Sequence, residues 1–104
     1  MDRYKVNWTY SSMRDLTRIY NYLFYHFKEP DTARNLYNKI LNSVLKLSSL
    51  PERCPDISYY GNFNKNCRRL RVDKFIIIYK VDIQSKEIYI LHIFHSNQNY
   101  LNLI

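Results

Sequence analysis

The chain has 104 residues, 46% of them hydrophobic, with 16 Lys and Arg against 9 Asp and Glu for a net charge of +7. That length supports one domain over residues 1–104 with one core, and the hydrophobic share excludes wholesale disorder. The basic excess points to an anionic partner, nucleic acid or an acidic protein, or else to a surface with surplus lysine. No apolar run approaches the roughly 18 residues that a membrane span needs. The start, MDRYKVNW, lacks the apolar stretch of a signal peptide, so a cytoplasmic protein without membrane contact is expected. Cys54 and Cys67 have no CxxC spacing and read as free thiols, with no metal site. The lone glycine, Gly61, excludes a glycine-rich phosphate loop, and no cofactor is expected.

Tyr4, Val6 and Trp8 alternate with polar residues, which predicts a first strand of about six residues. Ser12 to Asp15 resembles a capping box with Asp in place of Glu. Met13, Leu16, Tyr20, Leu23 and Phe27 then give an apolar stripe, and Pro30 ends this first helix. Asp31 is the expected N-cap of a second helix whose stripe is Ala33, Leu36, Ile40, Val44 and Leu47, widened by Tyr37, Leu41 and Leu45. Helices of roughly 15 and 20 residues on so short a link pack as an antiparallel hairpin. A loop with turn chemistry follows, about Pro51 to Asn66.

Three strands close the chain. Leu70 and Val72 alternate with Arg69 and Arg71; Phe75 to Val81 is apolar on both faces and reads as the sheet's centre. Asp82 to Lys86 is a hairpin-length break, and Glu87 to Phe94 delivers His95 to a strand end. The expected fold is α+β, with a helical hairpin covering one face of a twisted antiparallel sheet, in the order β-α-α-β-β-β. Ile76, Ile78 and Ile88 to Phe94 make the sheet's second face apolar too, so a partner segment or the tail Leu101 to Ile104 is expected to shield it.

On this order the segments YKVNWTYSSMRDLTRIYNYL, EPDTARNLYNKILNSVLKLSSLPERCP and RRLRVDKFIIIYKVD with IYILHIFHSNQNY resemble the RelE/ParE superfamily of bacterial toxins from type II toxin–antitoxin modules. The resemblance covers nearly the whole chain except the asparagine-rich loop. It implies one of two activities. RelE-like members cleave messenger RNA in the ribosomal A site without a metal; ParE-like members bind and block DNA gyrase. Both are held inactive by an antitoxin, expected here to lay an acidic amphipathic segment over the hairpin and the sheet.

Ribonuclease chemistry needs a proton acceptor for the 2′-OH, a proton donor for the leaving 5′-oxygen and cations at the phosphate. His95 stands where several ribonuclease members, and ParE-like ones as well, carry a histidine. Arg68 matches a family arginine. Arg68 and Arg69 complete the candidate catalytic set, while Lys65, Arg71 and Tyr100 are candidates for binding phosphate or stacking on a base. His92 and His26 read as structural. One departure stands out: where many ribonuclease members carry a catalytic arginine in the central strand, this chain has Ile76. The long helices are similar to those of ParE-like members. Ribosome-dependent cleavage of messenger RNA is the first reading. Gyrase inhibition without catalysis is the second, and a non-toxic basic RNA-binding or interaction module the third.

Overall fold

The computed structural model describes residues 3–26, 29–57 and 66–96. Along them run β1 (Lys5–Trp8), α1 (Tyr10–His26), α2 (Pro30–Leu45) continued by a 3-10 turn at Lys46–Ser48, then β2 (Cys67–Val72), β3 (Phe75–Asp82) and β4 (Glu87–His95). The order matches expectation. β2, β3 and β4 form the antiparallel meander, with strand order β1-β4-β3-β2 across the sheet. β1 pairs parallel to β4, so the sheet is mixed where an antiparallel one was expected. Parallel neighbours need a long connection, and the helices plus the meander supply it.

β3 is the centre because its neighbours leave it no wet side. Ile77 and Tyr79 face the helices in a core with Leu23, Ile40, Val44 and Ile90. The Tyr79 hydroxyl donates to the Pro51 carbonyl at 2.7 Å, and burial, reinforced by the Cys54 thiol, pushes the phenol above its ordinary pKa. Ile76 and Ile78 face the other way, into a smaller cluster with Ile57, Cys67 and Phe94. Of the two covers expected for that second face, a partner is not needed at Ile76, Ile78 and Phe94, which are buried within the single chain. Residues 101–104 lie outside the described part.

One irregularity sets which side chains share a face. Ile78 pairs with His92, but Tyr79 pairs with Ile90, so Leu91 is an extra residue in β4. Such a bulge reverses the alternation beyond it. Ile88 and Ile90 face the helices before it; Ile93 does so after it, leaving Leu91 and Phe94 on the second face.

The first helix begins two residues before the expected cap. Thr9 is the capping residue: its hydroxyl oxygen accepts the Ser12 N–H at 3.2 Å, and the Ser12 hydroxyl donates back to the Thr9 carbonyl at 2.8 Å. Thr9 also anchors the helix to the sheet, its hydroxyl donating to the Ile90 carbonyl at 2.6 Å. The buried side of α1 is therefore Ser12, Asp15, Ile19 and Leu23, while Met13 and Tyr20 of the expected stripe are exposed. Phe27 lies outside the described residues. Asp15 does not serve the helix end. Its side chain is 10% exposed, and the carboxylate accepts the Ile93 N–H of β4 at 3.0 Å and the Arg18 guanidinium at 2.9 Å. In the second helix, Pro30 is the first helical residue and Glu29 the cap, because a proline without an N–H fits the first turn. Asp31 sits inside that turn and pairs with Arg34 at 3.3 Å on the surface. The stripe of α2 is buried as expected at Ala33, Ile40, Val44 and Leu47, but Leu45 is exposed.

These roles predict unequal costs. Asp15→Ala strands a buried N–H and should lower unfolding stability by about 1–3 kcal/mol in urea melts. Asp31→Ala, on an exposed pair, should stay within about 0.5 kcal/mol. Equal effects would contradict the assignment.

Candidate functional site

β2 and β4 carry the candidate residues, and the sheet separates them. Arg68, Leu70 and Val72 alternate with Cys67, Arg69 and Arg71 along β2. Val72 and Leu70 pack on the helix-side core, whereas Cys67 belongs to the second-face cluster. Arg69 and Arg71 therefore share the second face and are exposed there, as the alternation predicts.

Arg68 is committed elsewhere. Its side chain is only 15% exposed and makes four bonds: Nη1 to the Glu52 and Cys54 carbonyls at 3.0 and 2.6 Å, Nε to Asn66 Oδ1 at 2.9 Å, and Nη2 to Glu52 Oε2 at 3.2 Å. These bonds fasten the segment after the 3-10 turn against the edge of β2. Backbone bonds continue the attachment, from Ile57 N–H to the Cys67 carbonyl at 2.8 Å and from Arg69 N–H to the Pro55 carbonyl at 3.2 Å. Arg68 thus closes a sheet edge that would otherwise invite pairing.

His95 lies on the helix side. It pairs across from Phe75, with its ring edge-on to that phenyl at 5.5 Å. It lines a cavity of about 470 Å³ together with Tyr22, His26, Lys74 and Phe75. Arg68 is on the same face but four residues along and two strands away, about 13 Å by about 10 Å from strand geometry. Arg69 and Arg71 are on the opposite face. The expected catalytic set is not brought together around one point.

Two groupings take its place. The first is the cavity at His95, where His26 and Lys74 join it; Asp73 in its wall adopts φ 52 and is tied to α2 by Lys39 at 3.2 Å. The second is a groove of about 400 Å³ on the second face, where Arg53, Arg69 and Arg71 converge beside Ile76. No carboxylate is among its described lining residues. Sequence reasoning missed Arg53 and Lys74 and set His26 aside, since nothing local links them to the strands. Ile76, at the place of the family arginine, is buried in the wall of this groove. His92 lies on the second face, opposite to His95, stacked on Phe94 at 5.4 Å, with Nδ1 at 3.5 Å from Asp15. Lys65 and Tyr100 lie outside the described residues.

Cys54 and Cys67 are both buried free thiols. Among the described residues no three His, Cys, Asp or Glu side chains gather as a metal-binding group, and no helix is long and apolar enough to cross a membrane.

A small α+β domain with a helical hairpin on a four-stranded mixed sheet, basic on one face, is the class of protein defined so far. Residues 6–100 match the family model described as the ParE toxin of the type II toxin–antitoxin system parDE. The chain belongs to this family of ParE toxins. Solved structures share the fold. A chain of the RelBE2 toxin–antitoxin complex from Mycobacterium tuberculosis superposes with a TM-score of 0.65 at 19% identity, over 89% of this chain and 98% of that one. A chain of the chromosomal ParDE system from P. aeruginosa gives 0.68 at 23% identity, over 89% and 96%. The E. coli toxin RelE, a double arginine-to-alanine mutant in the free state, gives 0.57 at 12%, over 97% and 92%. No curated protein sequence matches.

The arginines should separate by stability. Arg68→Ala should cost on the order of 2 kcal/mol, because charged hydrogen bonds to the Glu52 and Cys54 carbonyls and to Asn66 are lost. Arg69→Ala and Arg71→Ala, on an exposed face, should each stay within about 0.5 kcal/mol in the same denaturation measurement.

Proposed function

We propose that this toxin arrests growth by binding DNA gyrase in the cytoplasm without catalysis, and that a cognate antitoxin with an acidic segment neutralises it. The observation that carries the reading is the scatter of the expected catalytic residues. His95 is on the helix side, Arg69 and Arg71 are on the opposite face, and Arg68 is consumed in fastening the 51–57 segment. A phosphorane needs cations and proton-transfer groups within hydrogen-bond reach of one substrate atom. Ile76, buried and apolar, offers no charge where ribonuclease relatives place one. The two mechanisms expected from sequence therefore exchange ranks. The match to the ParE toxin family model and the P. aeruginosa ParDE toxin–antitoxin system among the structural neighbours support the antitoxin partner by analogy. The groove of Arg53, Arg69 and Arg71 suits the antitoxin's carboxylates, and Arg69→Glu should weaken that complex in a salt-dependent way.

A second reading has one observation in its favour. Two imidazoles, His26 and His95, and the Lys74 ammonium line the same cavity, and these are group types a metal-free ribonuclease uses. Expression without antitoxin should stop growth in either case; harmless accumulation would overturn the toxin reading. Supercoiling assays with purified gyrase should show inhibition by wild type and His95→Ala alike, since one peripheral contact rarely dominates an interface. Primer extension on ribosome-bound message should show no induced cuts. Cuts that vanish in His95→Ala would overturn gyrase binding in favour of cleavage.

A further inference from the structure

We propose that the outer face of α1 is the surface with which the toxin grips its cellular target, and that it takes an acidic, ridge-shaped protein segment; this rests on reading the chain as a binding inhibitor. With Ser12, Asp15, Ile19 and Leu23 turned inward, the helical period turns Tyr10, Met13, Arg14, Thr17 and Tyr25 outward. Tyr10 is 78% exposed, Met13 55% and Tyr25 93%. Large apolar side chains on a surface need no comment singly, but here they share one helix face and span about 22 Å from Tyr10 to Tyr25.

The composition is that of an interface centre. Tyr, Met and Arg are the residues enriched there, and Lys, Glu and Asp are depleted. α1 contains no Lys or Glu, and its sole carboxylate, Asp15, is buried. The partner helix of the same hairpin is the internal control. The outer side of α2 presents Asp31, Arg34, Asn35, Asn38, Lys39 and Asn42, an ordinary solvated face.

Shape and charge narrow the occupant. Thr17 and Asn21 are short and, with Tyr10, Met13, Arg14 and Arg18 around them, line a shallow, open depression on this face. The Arg14 guanidinium stands 5.9 Å from the centre of the Tyr10 ring, and Arg18, 68% exposed, is held by Asp15. Both cations are thus partly ordered before binding, which lowers the entropic cost of engaging a carboxylate. A helix or ridge carrying Asp or Glu beside an apolar residue fits between them.

Arg14→Glu and a Tyr10→Ala/Tyr25→Ala double variant test this, with Asn38→Ala on α2 as control. All four positions are exposed, and circular dichroism melts should show the fold unchanged. Each α1 variant should raise the toxin concentration for half-inhibition of gyrase supercoiling about tenfold or more, while its affinity for the antitoxin stays within about threefold. The control should match wild type. Inhibition as strong as wild type would overturn the proposal. So would a loss of antitoxin binding with inhibition retained, which would give the face to the antitoxin. If wild-type toxin arrests cells but leaves gyrase active, the gyrase reading fails separately. Growth arrest then becomes the readout: its loss in the α1 variants upholds the face, and its retention overturns it.

Discussion

The hydrogen bond from the Ile93 amide to the Asp15 carboxylate is the contact on which the rest of the arrangement depends. β1 ends at Trp8, opposite Ile90, so β4 runs on past its neighbour with an open edge. Just there Leu91 is inserted, and the ladder's next outward N–H, that of Ile93, has no strand to meet. Asp15 supplies the acceptor from α1 at 3.0 Å. A carboxylate this buried is tolerated only when it is well bonded, and the Ile93 amide, Arg18 and the nearby His92 meet that demand. One residue thereby joins the helix layer to the sheet and holds the bulge in register.

The bulge then decides what the sheet can do. In an unbroken strand, His95 would share parity with Tyr89 and fall on the face of Arg69 and Arg71. The extra residue moves it to the helix side, beside Phe75. Chemistry that alternation alone would have gathered on one surface is divided between two. The same alternation explains the contrast within the arginine run. Arg68 points toward the carbonyls of the 51–57 segment and becomes structural, while its neighbours face outward and remain a surface charge. Three consecutive-looking cations are one fastener and two contacts.

Much of this was legible in the sequence, and the failures have physical reasons. β3 announced itself because a run of apolar and aromatic residues this dense has no solvated alternative, and the Asp82 break and the α2 stripe read equally well. The parallel pairing of β1 was not legible, since it joins residues as far apart in the chain as Lys5 and Glu87. Pro30 was read as the end of one helix although it is the start of the next, because proline fits both places. The divided site was hidden by the bulge: Leu91 follows Ile90 in an apolar run whose pattern carries no mark of an inserted residue. Arg68 could not be told from Arg69 and Arg71 by type, only by the carbonyls it meets.

The orientation of α1 shows most directly why pattern alone misleads here. The helix is apolar on more than one side, and counting large side chains favours burying Met13 and Tyr20. Turning it that way would draw Asp15 away from Ile93 and leave that backbone amide without its acceptor. An unsatisfied buried amide costs about 1–3 kcal/mol, at least as much as leaving a half-exposed methionine in water. Tyr20 is partly compensated by Phe24 and by Tyr37 of α2, with ring centres 4.4 and 5.1 Å away. Tyr10, Met13 and Tyr25 are instead turned away from the core. The polar requirement of one buried carboxylate thus places an aromatic and basic face on the outside of the molecule.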